Sequence, residues 1–243
     1  MTTKDIIKVY LGTVEVPKLY LGNNQVYPTV NKYVTTYDLN IGVPNTTLTL
    51  PFNTPIRYEN LRIDWGDGTT TVGINTHTYD SLGVYEITIY GSFTGLTHET
   101  TESDIALKLV NISNWGDIGV LSNQYTNCVN LEITAEDNTV RSDSNWLVNL
   151  FKNCKKITEG PSISSNLVTN VSGMYEGCDN LASIGTTNFP NVTGMSNFAK
   201  DCPLLDVDLS YMCVPLVASQ PVNFVTGSPL MTEEKLPIWG TCP

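Results

Sequence analysis

Two histidines and six cysteines are the residues that could supply a nucleophile and its base. A cysteine thiolate paired with a histidine would support acyl transfer. His77, in a His-Thr-Tyr phrase, is expected to be structural, and His98 lies in a threonine-rich connector with no evident partner. Serine-nucleophile, phosphate-loop and zinc-protease motifs do not occur in the sequence. The sequence therefore predicts no catalytic residue and no enzymatic activity.

Two pairs of aspartates offer the remaining chemistry. Asp64 and Asp67 could supply oxygen ligands for calcium, but an aspartate in this position also closes a tight turn through its own backbone. Asp206 and Asp208 would lie on one face of a strand, as a carboxylate pair for glycan hydrolysis or as plain solvent-facing residues. No Cys-x-x-Cys pair supports zinc. We expect the turn and solvent-facing interpretations, with no metal and no cofactor.

Four of the cysteines recur at a near-constant spacing. Cys154, Cys178 and Cys202 are 24 residues apart, and Cys128 precedes Cys154 by 26. Each follows an aromatic residue by three or four positions and precedes an aliphatic residue by three. Such a period predicts stacked units, with the cysteines as a column of buried free thiols. Cys213 and Cys242 lie outside the column, and the sequence suggests no role for them.

Within one unit, residues 171–178 space their apolar side chains as a short helix would, and residues 181–184 are typical of a short strand. The Met/Phe-Tyr…Cys-x-x-Leu core, with the entry Trp115-Gly-Asp-Ile before its first copy, resembles BspA-like leucine-rich repeats of bacterial surface proteins and some phages. The resemblance covers residues 105–217. The resemblance implies an α/β leucine-rich-repeat solenoid over residues 101–243. The proline-rich end of the chain would form its C-terminal cap.

A second, shorter repeat occupies the N-terminus, where Lys-Val-Tyr-Leu-Gly at 8–12 is followed by Lys-Leu-Tyr-Leu-Gly at 18–22. Glycine-containing turns between short apolar stretches predict hairpins. The phrase resembles N-terminal modules of phage structural proteins. We expect residues 1–29 to be an anchoring segment that docks through Tyr10, Leu11, Tyr20 and Leu21. The alternative is that it only caps the next domain.

Residues 30–100 have the alternation of a β-sandwich, with strands expected at 47–50, 61–65 and 84–90. A tight turn is expected at Trp65, Gly66, Asp67 and Gly68. The phrases Ile-Asp-Trp-Gly-Asp-Gly-Thr, His-Thr-Tyr and Gly-Val-Tyr-Glu-Ile-Thr resemble, in order, the polycystic-kidney-disease (PKD) type immunoglobulin-like domain. That resemblance implies a small non-catalytic sandwich used for spacing or adhesion.

Composition limits the partners. The 243 residues have a net charge of −11 and no basic stripe, so nucleic acid and anionic membranes are not expected. The polar N-terminus resembles no secretory leader, and no apolar run is long enough to span a membrane. Synthesis in a reducing host cytoplasm is expected, which favours free thiols.

Together these features predict a modular, non-enzymatic bacteriophage virion protein, displayed outside the particle as a fibre, tail or capsid-decoration component. The N-terminal segment would bind other virion proteins, and the repeats would face a host-surface glycan or protein. Assembly with further copies of the chain is left open. The alternative is a bacterial cell-surface adhesin built from the same modules.

Overall fold

The computed structural model describes residues 32–52, 61–98, 104–137 and 139–243 in full, and within residues 1–31 the backbones of four short strands. The chain divides into two compact units, residues 1–31 and residues 32–243.

The first unit contains two antiparallel hairpins. The strands are β1 (Val9–Leu11), β2 (Val14–Val16), β3 (Leu19–Leu21) and β4 (Asn24–Val26). Strand β1 pairs with β2, and β3 pairs with β4. The two predicted hairpins are therefore confirmed. The side chains of Tyr10, Leu11, Tyr20 and Leu21 lie outside the described residues, so their docking role stays a prediction.

The second unit begins with strands that form one large sheet and two small ones. Its elements up to residue 133 are β5 (Lys32–Asp38), β6 (Thr47–Thr49), β7 (Arg62–Asp64), β8 (Thr70–Val72), β9 (Thr76–Thr78), β10 (Val84–Tyr90), β11 (Phe93–Thr94), α1 (Asp104–Lys108), β12 (Leu109–Asn114), β13 (Ile118–Val120) and β14 (Glu132–Ile133). The large sheet has the order β14-β12-β5-β10-β7-β8, and β6 pairs with β9 in a separate sheet.

Strand β10 illustrates why these residues form strands. Ile87 and Ile89 are fully buried, whereas Val84 and Glu86, on the opposite face of the strand, are exposed. This alternation gives the sheet one apolar face. The predicted strands near 47–50, 61–65 and 84–90 are confirmed, and so is the predicted pair of faces of β10.

The large sheet extends past residue 100, the predicted boundary between two modules. Strand β5 pairs with β10 on one side and with β12 on the other. The boundary therefore does not coincide with an edge of the sheet. Whether the two parts unfold separately stays a prediction. Helix α1 immediately precedes β12, which begins at Leu109.

Beyond residue 133 the strands are very short, and turns dominate. The remaining elements are β15 (Arg141–Ser142), β16 (Glu159–Gly160), β17 (Ile163–Ser164), β18 (Ser183–Ile184), β19 (Thr187–Asn188) and a 3-10 helix (Glu233–Lys235). Strands β13 and β15, β16 and β18, and β17 and β19 pair in parallel. The strand expected to carry Asp206 and Asp208 does not form.

Five successive turns stack on one another, at residues 123–128, 149–154, 173–178, 197–202 and 223–228; we call this the turn stack. In each of the first four turns, three backbone N–H groups donate to carbonyls of the next turn or of the residue just before it. Tyr125 N donates to Leu150 O at 3.0 Å, for example, and Phe151 N to Met174 O at 2.8 Å. These bonds satisfy backbone groups that would otherwise be buried without partners.

These turns are not helices. The first and fifth residue of each turn have positive φ; they are Asn123, Asn127, Asn149, Asn153, Gly173, Gly177, Asn197, Asp201, Asn223 and Gly227. A helix requires negative φ throughout, so a left-handed residue at every fourth position ends it. Bonds of the shorter i→i−3 type, such as Cys154 N to Phe151 O, replace the helical ones.

The predicted fold class is therefore wrong. The part of the chain that the structure describes is mostly β and turn, with one five-residue α-helix and several small sheets. It does not form an α/β leucine-rich-repeat solenoid. A sandwich followed by such a solenoid also fails as a description, because the sheet of residues 32–90 takes in strands β12 and β14.

Candidate functional site

The four repeat cysteines line the inside of the turn stack. Cys128, Cys154, Cys178 and Cys202 are fully buried and unpaired. The Cys154 thiol donates to the carbonyl of Tyr125 at 3.0 Å. In the same way, the Cys178 thiol donates to the carbonyl of Phe151 and the Cys202 thiol to the carbonyl of Tyr175. Buried free thiols, as predicted, are therefore confirmed.

Burial makes three of these thiols less reactive, whereas the hydrogen bond between the Cys178 and Cys202 side chains lowers the pKa of Cys202. Loss of solvent raises the pKa of the Cys128, Cys154 and Cys178 thiols. The thiolate is the reactive form of cysteine. A buried thiol that already donates to a backbone carbonyl stays protonated, so this column packs and bonds the stack.

The stack contains a fifth turn that the cysteine spacing did not reveal. Ser228 occupies the cysteine position, 26 residues after Cys202. Its hydroxyl donates to Ala199 O at 2.7 Å and accepts from Cys202 N at 2.9 Å. Phe224, four residues before Ser228, was the available signal. The predicted C-terminal cap therefore includes a further turn.

An aromatic column runs parallel to the cysteines. It consists of Tyr125, Phe151, Tyr175, Phe198 and Phe224, with successive ring centroids 5.3–5.7 Å apart. Trp115 packs against Tyr125 at one end, and Trp239 packs edge-on against Phe224 at the other. Such ring pairs add to the burial energy of each turn.

The predicted turn around Asp67 is built by local hydrogen bonds. Asp67 accepts from the Thr69 backbone N–H at 2.9 Å and from the Thr69 hydroxyl at 2.6 Å. His77 Nε2 lies 2.6 Å from the other carboxylate oxygen, and its ring stacks on Trp65. Partial burial raises the pKa of Asp67, but the hydrogen bonds from Thr69 and His77 outweigh it and bring the pKa to about 2. Both carboxylate oxygens of Asp67 are thus engaged in contacts with Thr69 and His77.

The two turn glycines differ in their surroundings. Both have positive φ, +80° at Gly66 and +90° at Gly68. A Cβ at Gly66 would lie 2.3 Å from the backbone oxygen of Glu86, whereas one at Gly68 would meet open space. The close approach of two backbones therefore requires glycine at position 66.

His98 has partners, so the prediction that it has none is wrong. It is fully buried. Nδ1 donates to Gln124 O, and Nε2 accepts from the Tyr37 hydroxyl, both at 2.9 Å. Burial lowers the pKa of His98 to about 4, so the ring is neutral near pH 7. His98 links the large sheet to the first turn of the stack.

The remaining candidate residues are dispersed. Asp206 pairs with Lys235 at 2.5 Å, and Asp208 accepts from Ser210 N at 2.9 Å. Cys213 and Cys242, which had no predicted role, form a disulfide across 29 residues. The two aspartates are exposed and turned to different partners, so they form no acid–base pair.

A polar groove beside the turn stack is the candidate binding site. Its volume is about 550 Å³, within the usual range for small-molecule sites. It is lined by Gly116, Asp117, Thr139, Val140, Arg141, Ser162, Ser164 and Thr186. The short parallel strands β15 and β17 form part of its wall. Because these residues are scattered over 71 positions, only folding brings them together.

Within the described ranges, no group of three or more His, Cys, Asp or Glu residues could hold a metal ion. In the same part of the chain, no helix is long and apolar enough to cross a membrane. Comparisons with protein-family models, with curated proteins and with solved structures gave no match to this chain.

Proposed function

We propose that this chain is a non-enzymatic structural protein of a bacteriophage virion, displayed on the particle exterior and contributing to adhesion to the host surface. The observation that carries the proposal is the turn stack. Each turn is bonded to the next through three backbone hydrogen bonds, and a continuous aromatic column fills the interior. This construction gives a rigid surface with a polar groove, as a displayed binding module requires.

The cysteine and histidine side chains support a non-enzymatic role. The four repeat thiols are buried, those of Cys154, Cys178 and Cys202 donate to carbonyls, and both imidazole rings are held in structural contacts. A catalytic group must reach its substrate. None of these side chains lines the groove.

The two N-terminal hairpins support the docking part of the proposal. Each hairpin consists of two strands of three residues. The outer edges of such strands can pair with a sheet of another protein. Such addition would join the chain to other virion subunits. The repeated Lys-x-Tyr-Leu-Gly phrase would then present two equivalent edges.

The test compares full-length protein with a variant lacking residues 1–29, both expressed during infection by the particle of origin. We expect both to be soluble, and only the full-length protein to enter purified virions. A variant that carries Thr226→Val, at an exposed position of the fifth turn, should enter as well as the full-length protein does. Equal incorporation of the truncated form would refute the docking role.

A bacterial cell-surface adhesin is the second candidate, and the Cys213–Cys242 disulfide is the observation that favours it. Disulfides persist in oxidising surroundings such as a cell surface. Protease treatment of intact bacterial cells that express the chain would separate the candidates. Loss of the protein from intact cells would favour the adhesin, and its protection until lysis would favour the virion protein.

A further inference from the structure

Arg141 projects from β15 into the groove and is held in a fixed orientation. Its Nε lies 3.2 Å from Asp117 Oδ1, and its Nη1 lies 3.1 Å from Asp143 Oδ1. Nη2 lies 3.2 Å from the Asp117 carbonyl and 3.4 Å from the Ser92 hydroxyl. Even so, 44% of the Arg141 side chain is exposed. The planar guanidinium and the Asp117 carboxylate thus present fixed donors and acceptors at the groove surface.

Hydroxyl groups provide the rest of the polar lining. Ser162, Ser164 and Thr186 lie on neighbouring parallel segments, since Ile163 N donates to Thr186 O. Ser164 and Thr186 are exposed, and Ser162 is half-buried. Each hydroxyl can both donate and accept. A ligand rich in hydroxyl groups would match all three.

The charge of the groove selects among such ligands. Arg141 is paired with Asp117 of the lining and with Asp143 outside it, so this group of three side chains is net negative, and the whole chain has a charge of −11. Phosphorylated or acidic ligands would be repelled. Val140 is the one large apolar residue of the lining, and its side chain is buried, whereas six of the eight lining residues are polar or charged.

We propose that this groove binds a neutral oligosaccharide. The inference rests on the proposed adhesive function and names the chemical class that the adhesive surface takes. Arg141 and Asp117 contact sugar hydroxyls with fixed geometry, and the hydroxyls of Ser164 and Thr186 contact the next part of the ligand. Adjacent strands lie ~4.8 Å apart, so a linear glycan can cross them and contact several rows in turn.

The experiment measures binding of the full-length chain to defined tetrasaccharides by isothermal titration calorimetry. Chitotetraose, cellotetraose, maltotetraose and mannotetraose are the neutral probes, and tetragalacturonate is the acidic one. We expect at least one neutral probe to bind and the acidic probe to bind at least tenfold more weakly. The double variant Ser164→Ala/Thr186→Val should weaken binding about tenfold, through the loss of two hydrogen bonds.

Thr226→Val is the matched control, since it removes an exposed hydroxyl far along the chain from the groove-lining residues. It should bind like the unaltered protein. Ser164→Leu, which fills the groove, should abolish binding while the thermal unfolding midpoint stays close to that of the control. The inference is overturned if none of the neutral probes binds, if the acidic probe binds best, or if the groove variants bind normally. Those outcomes leave virion incorporation, which tests the proposed function, unaffected.

Discussion

Lowering the pH from 7 to 4 should destabilise this protein through a single buried imidazole. His98 is fully buried, and its pKa falls from 6.5 to about 4 because burial disfavours the charged ring. Between these two values the unfolded state binds more protons than the folded state. The stabilisation is therefore complete above about pH 6.5 and is lost as the pH falls towards 4.

The magnitude follows from the pKa difference. Each unit of pKa difference between folded and unfolded states is worth ~1.4 kcal/mol, so the full loss is ~3.5 kcal/mol, of which about 3 kcal/mol is lost by pH 4. That is a large share of a typical folding free energy of ~5–15 kcal/mol. Asp67, with its pKa of about 2, loses its contribution only below about pH 4. The two groups therefore act in separate pH windows.

Urea unfolding at pH 7.0, 5.5 and 4.0 measures the effect, with the unaltered protein beside the variant His98→Gln. The unaltered protein should lose about 3 kcal/mol across this range. The variant should start less stable at pH 7, because the bonds to Tyr37 and Gln124 are disturbed, but should show a much shallower pH dependence. An equally steep dependence in the variant, or a His98 pKa above 6 measured by NMR, would refute the reasoning.

Four further substitutions test the packing. Cys178→Ala should cost ~1–2 kcal/mol, since a buried thiol and its bond to Phe151 O are lost, and native Cys178 should resist thiol labelling; rapid labelling would contradict its burial. Phe151→Ala should cost ~3–5 kcal/mol in thermal or urea unfolding, and a cost below ~1 kcal/mol would contradict the aromatic column. Gly68→Ala should cost ~1 kcal/mol for its positive φ alone. Gly66→Ala should cost ~2 kcal/mol more than that, because its Cβ would meet Glu86 O; equal losses would contradict the close approach.

Much of the turn stack could be predicted from the local sequence pattern. The cysteine period, the aromatic residue before each cysteine and the burial of both were predictable, because identical units must cover one another's apolar side. The turn conformation could also be predicted from the sequence, although the apolar spacing led to the wrong prediction of a helix. Asn, Gly or Asp recurs at positions such as 149 and 153, and these residues tolerate positive φ. Apolar spacing alone cannot distinguish such a turn from a helix.

The sequence by itself determined the hairpin strands, the alternation of β10 and the residue types of the repeat, since each depends on neighbours along the chain. Only the tertiary structure decided which distant residues meet. His98 lies 61 residues from Tyr37, and Cys213 lies 29 from Cys242. The groove likewise collects Asp117, Arg141 and Thr186 from separate strands and loops. Such pairings depend on how the sheet and the turn stack pack together. A repeat in the sequence does not indicate which distant carbonyl a buried side chain will contact.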